Sequence, residues 1–183
     1  MRENSMGRVV LVTGGSRSGK SEYARKAAEQ TDGPRIFVAT CPEVDDETRD
    51  RIRKHRLDRS EGGWDTIEEE IDLAGVLRES DEAGVILVDC LTLWINNLMF
   101  RAPGNGDSIT EEEISRRCKE VLSASREIRG KVFFVTNEVG LGIVPENEAS
   151  RLYRDLVGRC NQTMAEKADQ VIFTVSGLPL TLK

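Results

Sequence analysis

Gly14-Gly15-Ser16-Arg17-Ser18-Gly19-Lys20-Ser21 satisfies the pattern G-x-x-x-x-G-K-[ST] without a mismatch. Ahead of it runs Val9-Val10-Leu11-Val12-Thr13, apolar and β-branched as suits a strand buried on both faces, and behind it Glu22 to Gln30 reads as a helix. Strand, loop and helix in that order are the setting in which this pattern makes a P-loop. Gly14, Gly15 and Gly19 let the backbone wrap so tightly that its N–H groups converge on phosphate oxygens, and the helix start adds the positive end of its dipole. Lys20 is predicted to reach the β- and γ-phosphates of ATP or GTP, and the Ser21 hydroxyl to coordinate Mg²⁺. The stretch predicts a bound triphosphate and is silent about its fate.

The flanking elements extend the strand–helix alternation. Arg35 to Thr40 reads as a second strand, and its exit, Ala39-Thr40-Cys41-Pro42, falls where open α/β sheets present ligand loops, although a plain strand exit would look the same. Trp64 to Glu68 is extended, with a helix through Ile71, Leu73, Ala74, Val76 and Leu77 behind it; Glu68 either anchors a base or ribose or merely marks an element boundary. Gly84 to Asp89 is an apolar run ending in an acid, the Walker B pattern. It would set Asp89 beside the P-loop to hold Mg²⁺ directly or through water, or else to cap a helix. Leu91 to Phe100 carries large apolar side chains nearly all round a helix, which predicts core packing with part of the surface against another subunit.

Arg101 to Ser108 is a polar loop, and Thr110 with Glu113 forms a capping box for a helix whose inner stripe is Ile114, Cys118, Val121, Leu122, Ser125 and Ile128. Lys131 to Thr136 and Gln170 to Val175 are further strands, with a helix over about 148–168 between them. The Gly-containing segment Asn137 to Asn147 leaves a strand's C-terminal end and is placed to line a site. Five strands alternating with helices predict an α/β parallel sheet.

Composition narrows the function. The chain has 183 residues, the size of a single domain over 1–183 with a ragged start over 1–7. A net charge of −6 gives no general attraction to polyanions, which argues against nucleic acid as a partner and makes phosphate recognition local. Cys41, Cys90, Cys118 and Cys160 form no paired ligand spacing, so a zinc site is disfavoured and a reducing, cytoplasmic compartment fits. No apolar run approaches the ~20 residues of a membrane span, and no signal-peptide core opens the sequence.

Glu43 to Arg59 is dense in charge, six acidic side chains against six basic ones, and composition alone reads it as a solvated helix or a helical lid. It also holds His55, the one histidine of the chain. On a helix, His55 has Arg51 and Arg59 one turn away and Lys54 and Arg56 adjoining. Cations favour the neutral imidazole, whose nitrogen is then a nucleophile near pH 7, and the same arginines can stabilise charge on a phosphate under attack. An inert surface histidine is the plain alternative.

Three features coincide: the P-loop, the segment Arg51-Ile52-Arg53-Lys54-His55, and Thr136 to Glu146 with its continuation Arg154 to Gln162. Together they resemble the bifunctional adenosylcobinamide kinase/adenosylcobinamide-phosphate guanylyltransferase family of cobalamin biosynthesis, from Arg8 to Lys183. The resemblance implies a RecA-like, mostly parallel sheet flanked by helices, and a homotrimer. It implies phosphorylation of the aminopropanol hydroxyl of adenosylcobinamide, then transfer of GMP from GTP to adenosylcobinamide phosphate through a guanylylated histidine, with release of pyrophosphate. His55 matches that histidine. Gly14 to Ser21, Ala39, Thr40, Cys41, Arg56, Leu57, Asp58, Arg59, Glu68 and Asp89 match the family's nucleotide-binding positions, and Asp89 stands where some relatives carry Glu. Two other readings stay open: a regulatory P-loop GTPase, against which stands the lack of an Asn-Lys-x-Asp segment, and a monofunctional small-molecule kinase with His55 idle.

Overall fold

The computed structural model describes residues 7–42, 62–101 and 109–183. The charged segment 43–59, with His55, Arg56, Leu57, Asp58 and Arg59, and most of the predicted loop 101–108 lie outside the described residues.

The elements, numbered in the order in which they occur, are β1 (Arg8–Gly14), α1 (Lys20–Ala28), β2 (Arg35–Ala39), β3 (Trp64–Glu68), α2 (Leu73–Glu79), β4 (Val85–Asp89), α3 (Leu91–Arg101), α4 (Glu111–Glu127), β5 (Lys131–Val135), a single 3₁₀ turn (Val139–Leu141), α5 (Glu148–Lys167), β6 (Gln170–Val175) and β7 (Leu178–Thr181). The strands form one sheet in the order β3-β2-β4-β5-β1-β6-β7. All pairs are parallel except β6 with β7, which is antiparallel. The predicted α/β class is present, with seven strands where five were expected. The extended Trp64–Glu68 joins the edge of the sheet beside β2, and β7 returns from β6 through Ser176 and Gly177, both with positive φ (51° and 82°). Positive φ at both centre positions is the geometry of a tight two-residue hairpin turn.

Burial on both faces explains the apolar runs of the inner strands. In β1, Val9 and Leu11 enter the core shared with α2, α3, α4 and α5, while Val10 and Val12 enter the core shared with α1. The period of two thus splits one apolar run between two layers of helices. Leu91, Trp94, Ile95 and Leu98 of α3 are all buried within this chain, and the large apolar side chain that α3 exposes is Phe100. The apolar surround read from the sequence is therefore mostly core rather than a subunit contact. The Trp94 indole donates to Ile71 O (2.8 Å), and Asn97 donates to Thr40 O (2.8 Å), which ties α3 to the end of β2.

Candidate active site at the carboxyl edge of the sheet

Every predicted site residue that the structure describes lies at the C-terminal ends of the parallel strands. Strand register sets Glu68, Ala39, Asp89, Val135 and Val12 in one row across β3, β2, β4, β5 and β1. Beyond that row, β1 runs on through Thr13 and Gly14 into the loop.

The P-loop is held from both sides. Gly14 is buried with φ +154°, and a Cβ there would lie 2.5 Å from both Thr174 O and Thr174 Oγ1 and 2.7 Å from Ser18 Oγ. Only glycine lets strand and loop approach this closely. Ser18 is buried, its hydroxyl paired with Thr174 Oγ1 at 2.9 Å, and Thr174 Oγ1 donates to Thr13 O at 3.1 Å. From the β6–β7 turn, Gly177 N donates to Ser18 O at 2.9 Å, and the Gly177 Cα would stand 3.2 Å from a Cβ on Gly19, whose φ is +89°. Gly19 is the N-cap of α1 and supplies no side-chain cap. The first-turn N–H groups are therefore suited to an anion, which the helix dipole also favours. Ser16, Arg17 and Ser21 are exposed, and Lys20 is half-buried with Nζ donating to Gly15 O at 3.0 Å.

The remaining predicted residues fall into two groups. Asp89 ends β4, one strand removed from β1 because β5 lies between them. At about 4.8 Å per strand it stands roughly 10 Å from the P-loop strand, a span that suits a shared ion or its water rather than direct contact with the loop. Glu68, exposed at the end of β3, is four strands away, roughly 19 Å, and is placed for the far end of a nucleotide rather than its phosphates. Thr40 is fully buried, and its Oγ1 donates to Cys90 O and accepts from Cys90 N, both at 2.8 Å. Its hydroxyl thus locks β2 to β4, with Ala39 nearly buried beside it and Cys41 half-exposed beyond. Burial, and then the neighbouring Asp89 carboxylate, push the Cys90 thiol above its usual range. Ser21 and Asp89 offer a hydroxyl and a carboxylate, the small protein share that Mg²⁺ takes when phosphate oxygens and waters complete its shell.

One cluster draws on two segments the sequence singled out, Thr136 to Glu146 and Arg154 to Gln162, within which Glu138 and Asn161 had been given no role. Glu138, just past β5, accepts from Thr13 Oγ1 at 2.5 Å and from Asn161 Nδ2 at 3.3 Å, and its own N–H donates to Gly14 O at 3.1 Å. Asn161, on α5, also donates to Asn137 O at 3.0 Å and accepts from Thr136 Oγ1 at 2.6 Å. The available signal was an acid and a helix amide lying among apolar and glycine residues, but only the fold brings 138 and 161 together.

A P-loop on an inner strand of a mostly parallel sheet, with an acid ending the strand two places away, defines a nucleotide-binding protein of the P-loop class. Residues 10–182 match the family described as cobinamide kinase / cobinamide phosphate guanyltransferase, and the chain belongs to this CobU family. Curated relatives agree along almost their whole length. The bifunctional adenosylcobalamin biosynthesis protein CobP of Pseudomonas aeruginosa is 40% identical over 174 residues, 94% of this chain and 96% of the relative. The bifunctional adenosylcobalamin biosynthesis protein CobU of Escherichia coli is 36% identical over 182 residues, and that of Salmonella typhimurium 37% over 184. Each of these two alignments covers 96% of this chain and 99% of the relative.

Proposed function

We propose that this chain phosphorylates adenosylcobinamide and then transfers GMP from GTP to adenosylcobinamide phosphate. The observation that carries the reading is an intact P-loop, clasped by β6 and its turn, in a chain matched to the family over residues 10–182. The regulatory-switch alternative falls with that membership.

One cradle serves both reactions. In the first, the substrate hydroxyl attacks the γ-phosphorus of ATP or GTP and the nucleoside diphosphate leaves; the P-loop N–H groups and Lys20 take up the charge that develops. In the second, a neutral His55 nitrogen attacks the α-phosphorus of GTP and pyrophosphate leaves toward Lys20. The phosphate of the cobinamide substrate then displaces the histidine and carries the GMP away. Arg51, Arg56 and Arg59 are the cations we assign to charge stabilisation around His55. Ser21 and Asp89 would hold Mg²⁺, which neutralises phosphate charge when bound. Gly14 to Ser21 bind the phosphates; Ala39 to Cys41, Arg56 to Arg59 and Glu68 are the proposed contacts for the rest of the nucleotide.

The working unit is inferred to be a single domain over 1–183 assembled as a homotrimer. Among the described residues no helix is long and apolar enough to cross a membrane. A cytoplasmic setting is proposed from the four free cysteines. Incubation with α-labelled GTP and Mg²⁺ tests the histidine chemistry: wild type should carry label and His55→Ala should carry none. A His55→Ala protein labelled as strongly as wild type would refute the assignment.

A further inference from the structure

We propose that Glu138 is the general base of the phosphoryl-transfer reaction, taking the proton of the acceptor hydroxyl as its oxygen attacks the γ-phosphorus; the proposal rests on the kinase reading above.

Position comes first. β5 is the strand between β1, which carries the P-loop, and β4, which ends in Asp89. The segment leaving β5 therefore starts between the strand ends that carry the phosphate cradle and the acid, the side on which a γ-phosphate held by the P-loop would lie. It is fixed there by backbone bonds to β1, Thr136 N to Val12 O at 2.9 Å and Glu138 N to Gly14 O at 3.1 Å.

Orientation comes second. Thr13 Oγ1 and Asn161 Nδ2 both donate to the same oxygen, Oε1 of Glu138, so Oε2 takes neither of these bonds. Both donors are neutral groups, so neither bond is an ion pair. Their own supports are buried: Thr13 is 4% exposed, Asn161 9% and Thr136 0%. A carboxylate held by one oxygen on a rigid frame beside the phosphate cradle has the fixed position that proton abstraction from a hydroxyl requires.

The bookkeeping of the step closes within the known reaction. The acceptor O–Pγ bond forms, the bond from Pγ to the β-bridging oxygen breaks with its electron pair leaving on the nucleoside diphosphate, and the hydroxyl proton moves to Glu138. Guanylyl transfer makes no such demand, because its final acceptor is a phosphate monoester already ionised near pH 7. Glu138 thus acts in one of the two reactions that share the cradle. A purely structural carboxylate, bracing Thr13 and the loop, would act in both.

The test is Glu138→Gln, which keeps an acceptor for Thr13 and removes the base. Phosphorylation of adenosylcobinamide should lose about 10²- to 10⁴-fold in kcat with KM for the nucleotide within about threefold, while GMP transfer to supplied adenosylcobinamide phosphate stays within about threefold of wild type. Phosphorylation within about fivefold of wild type, or an equal fall in both activities, would overturn the proposal. If the glutamine variant does not fold, Glu138→Asp decides in its place: a carboxylate drawn back by one methylene should cost phosphorylation at least about tenfold and spare GMP transfer, and an equal loss in both refutes it. Wild-type protein that does not phosphorylate adenosylcobinamide would overturn the functional reading itself, and this assignment with it.

Discussion

Thr174→Val isolates the clasp on the P-loop. Thr174 is 1% exposed, and its hydroxyl joins Ser18 Oγ at 2.9 Å and Thr13 O at 3.1 Å. Valine keeps the shape and deletes both bonds. A hydrogen bond contributes about 0.5–1.5 kcal/mol net, and the buried Ser18 hydroxyl and Thr13 carbonyl lose a partner, so the expected loss is about 2 kcal/mol. For a chain of this size that corresponds to a fall in Tm of roughly 4–8 °C, read by circular dichroism at 222 nm. Because the freed Ser18 turn must be ordered by the ligand instead, moving about 1 kcal/mol from fold to binding should raise the nucleotide Kd about fivefold. A Tm within about 1 °C of wild type together with an unchanged Kd would refute the idea that β6 pre-orders the loop.

Other outcomes are as definite. Lys20→Ala should lower kcat/KM of both phosphorylation and GMP transfer by about 10- to 150-fold, the worth of one hydrogen bond to a charged group, measured in separate assays of the two steps. The Arg116 guanidinium, followed by Arg117, holds the Glu113 carboxyl down at about 2. Its folded value lies below its unfolded one, so its contribution is complete above about pH 4.5 and is lost as pH falls toward 2. Glu113→Gln should therefore lower Tm at pH 7 by about 1–3 °C, as a surface pair would, with the gap closing at acid pH and in high salt. In native protein at pH 7 a thiol reagent should modify Cys41 first, Cys90 slowly because of its raised thiol, and Cys118 and Cys160 only after unfolding, since both are fully buried.

Legibility in the sequence followed the range of the interactions. β1 and the P-loop were plain because both signals are local: an unbroken apolar run and a spaced glycine pattern. Thr110 also behaves as read, accepting from Glu113 N, but the Glu113 side chain turns to Arg116 and Arg117 instead of closing the predicted box. β7 was missed because all four of its residues are exposed and Pro179 weakens a strand signal, although Ser176-Gly177 was a legible turn. Trp64–Glu68 read only as extended, since a short edge strand with Asp65 and Glu68 exposed lacks a continuous apolar run. The segments holding Glu138 and Asn161 stood out, but nothing along the chain paired those two residues with each other or with Thr13. Those contacts exist because β5 lies against β1 and α5 crosses above both, facts of tertiary register that spacing along the chain does not encode.

The clasp on the P-loop also sets a schedule. Residues 14–21 leave the ribosome early, yet the strand that carries them is hydrogen-bonded on one side to 131–135 and on the other to 170–174, and Gly177 closes over Ser18. At 5–20 residues per second, roughly 8–30 s separate the synthesis of the cradle from that of its last support. Until 131–135 is made the apolar run 9–12 has no strand on either side, and until 170–174 is made it has only one, so an apolar strand stays unpaired while the phosphate site is already made but not yet assembled. The clasp on Ser18 is complete only once residue 177 has been made, so the β6–β7 hairpin is the last part of the frame that pre-orders the loop for nucleotide.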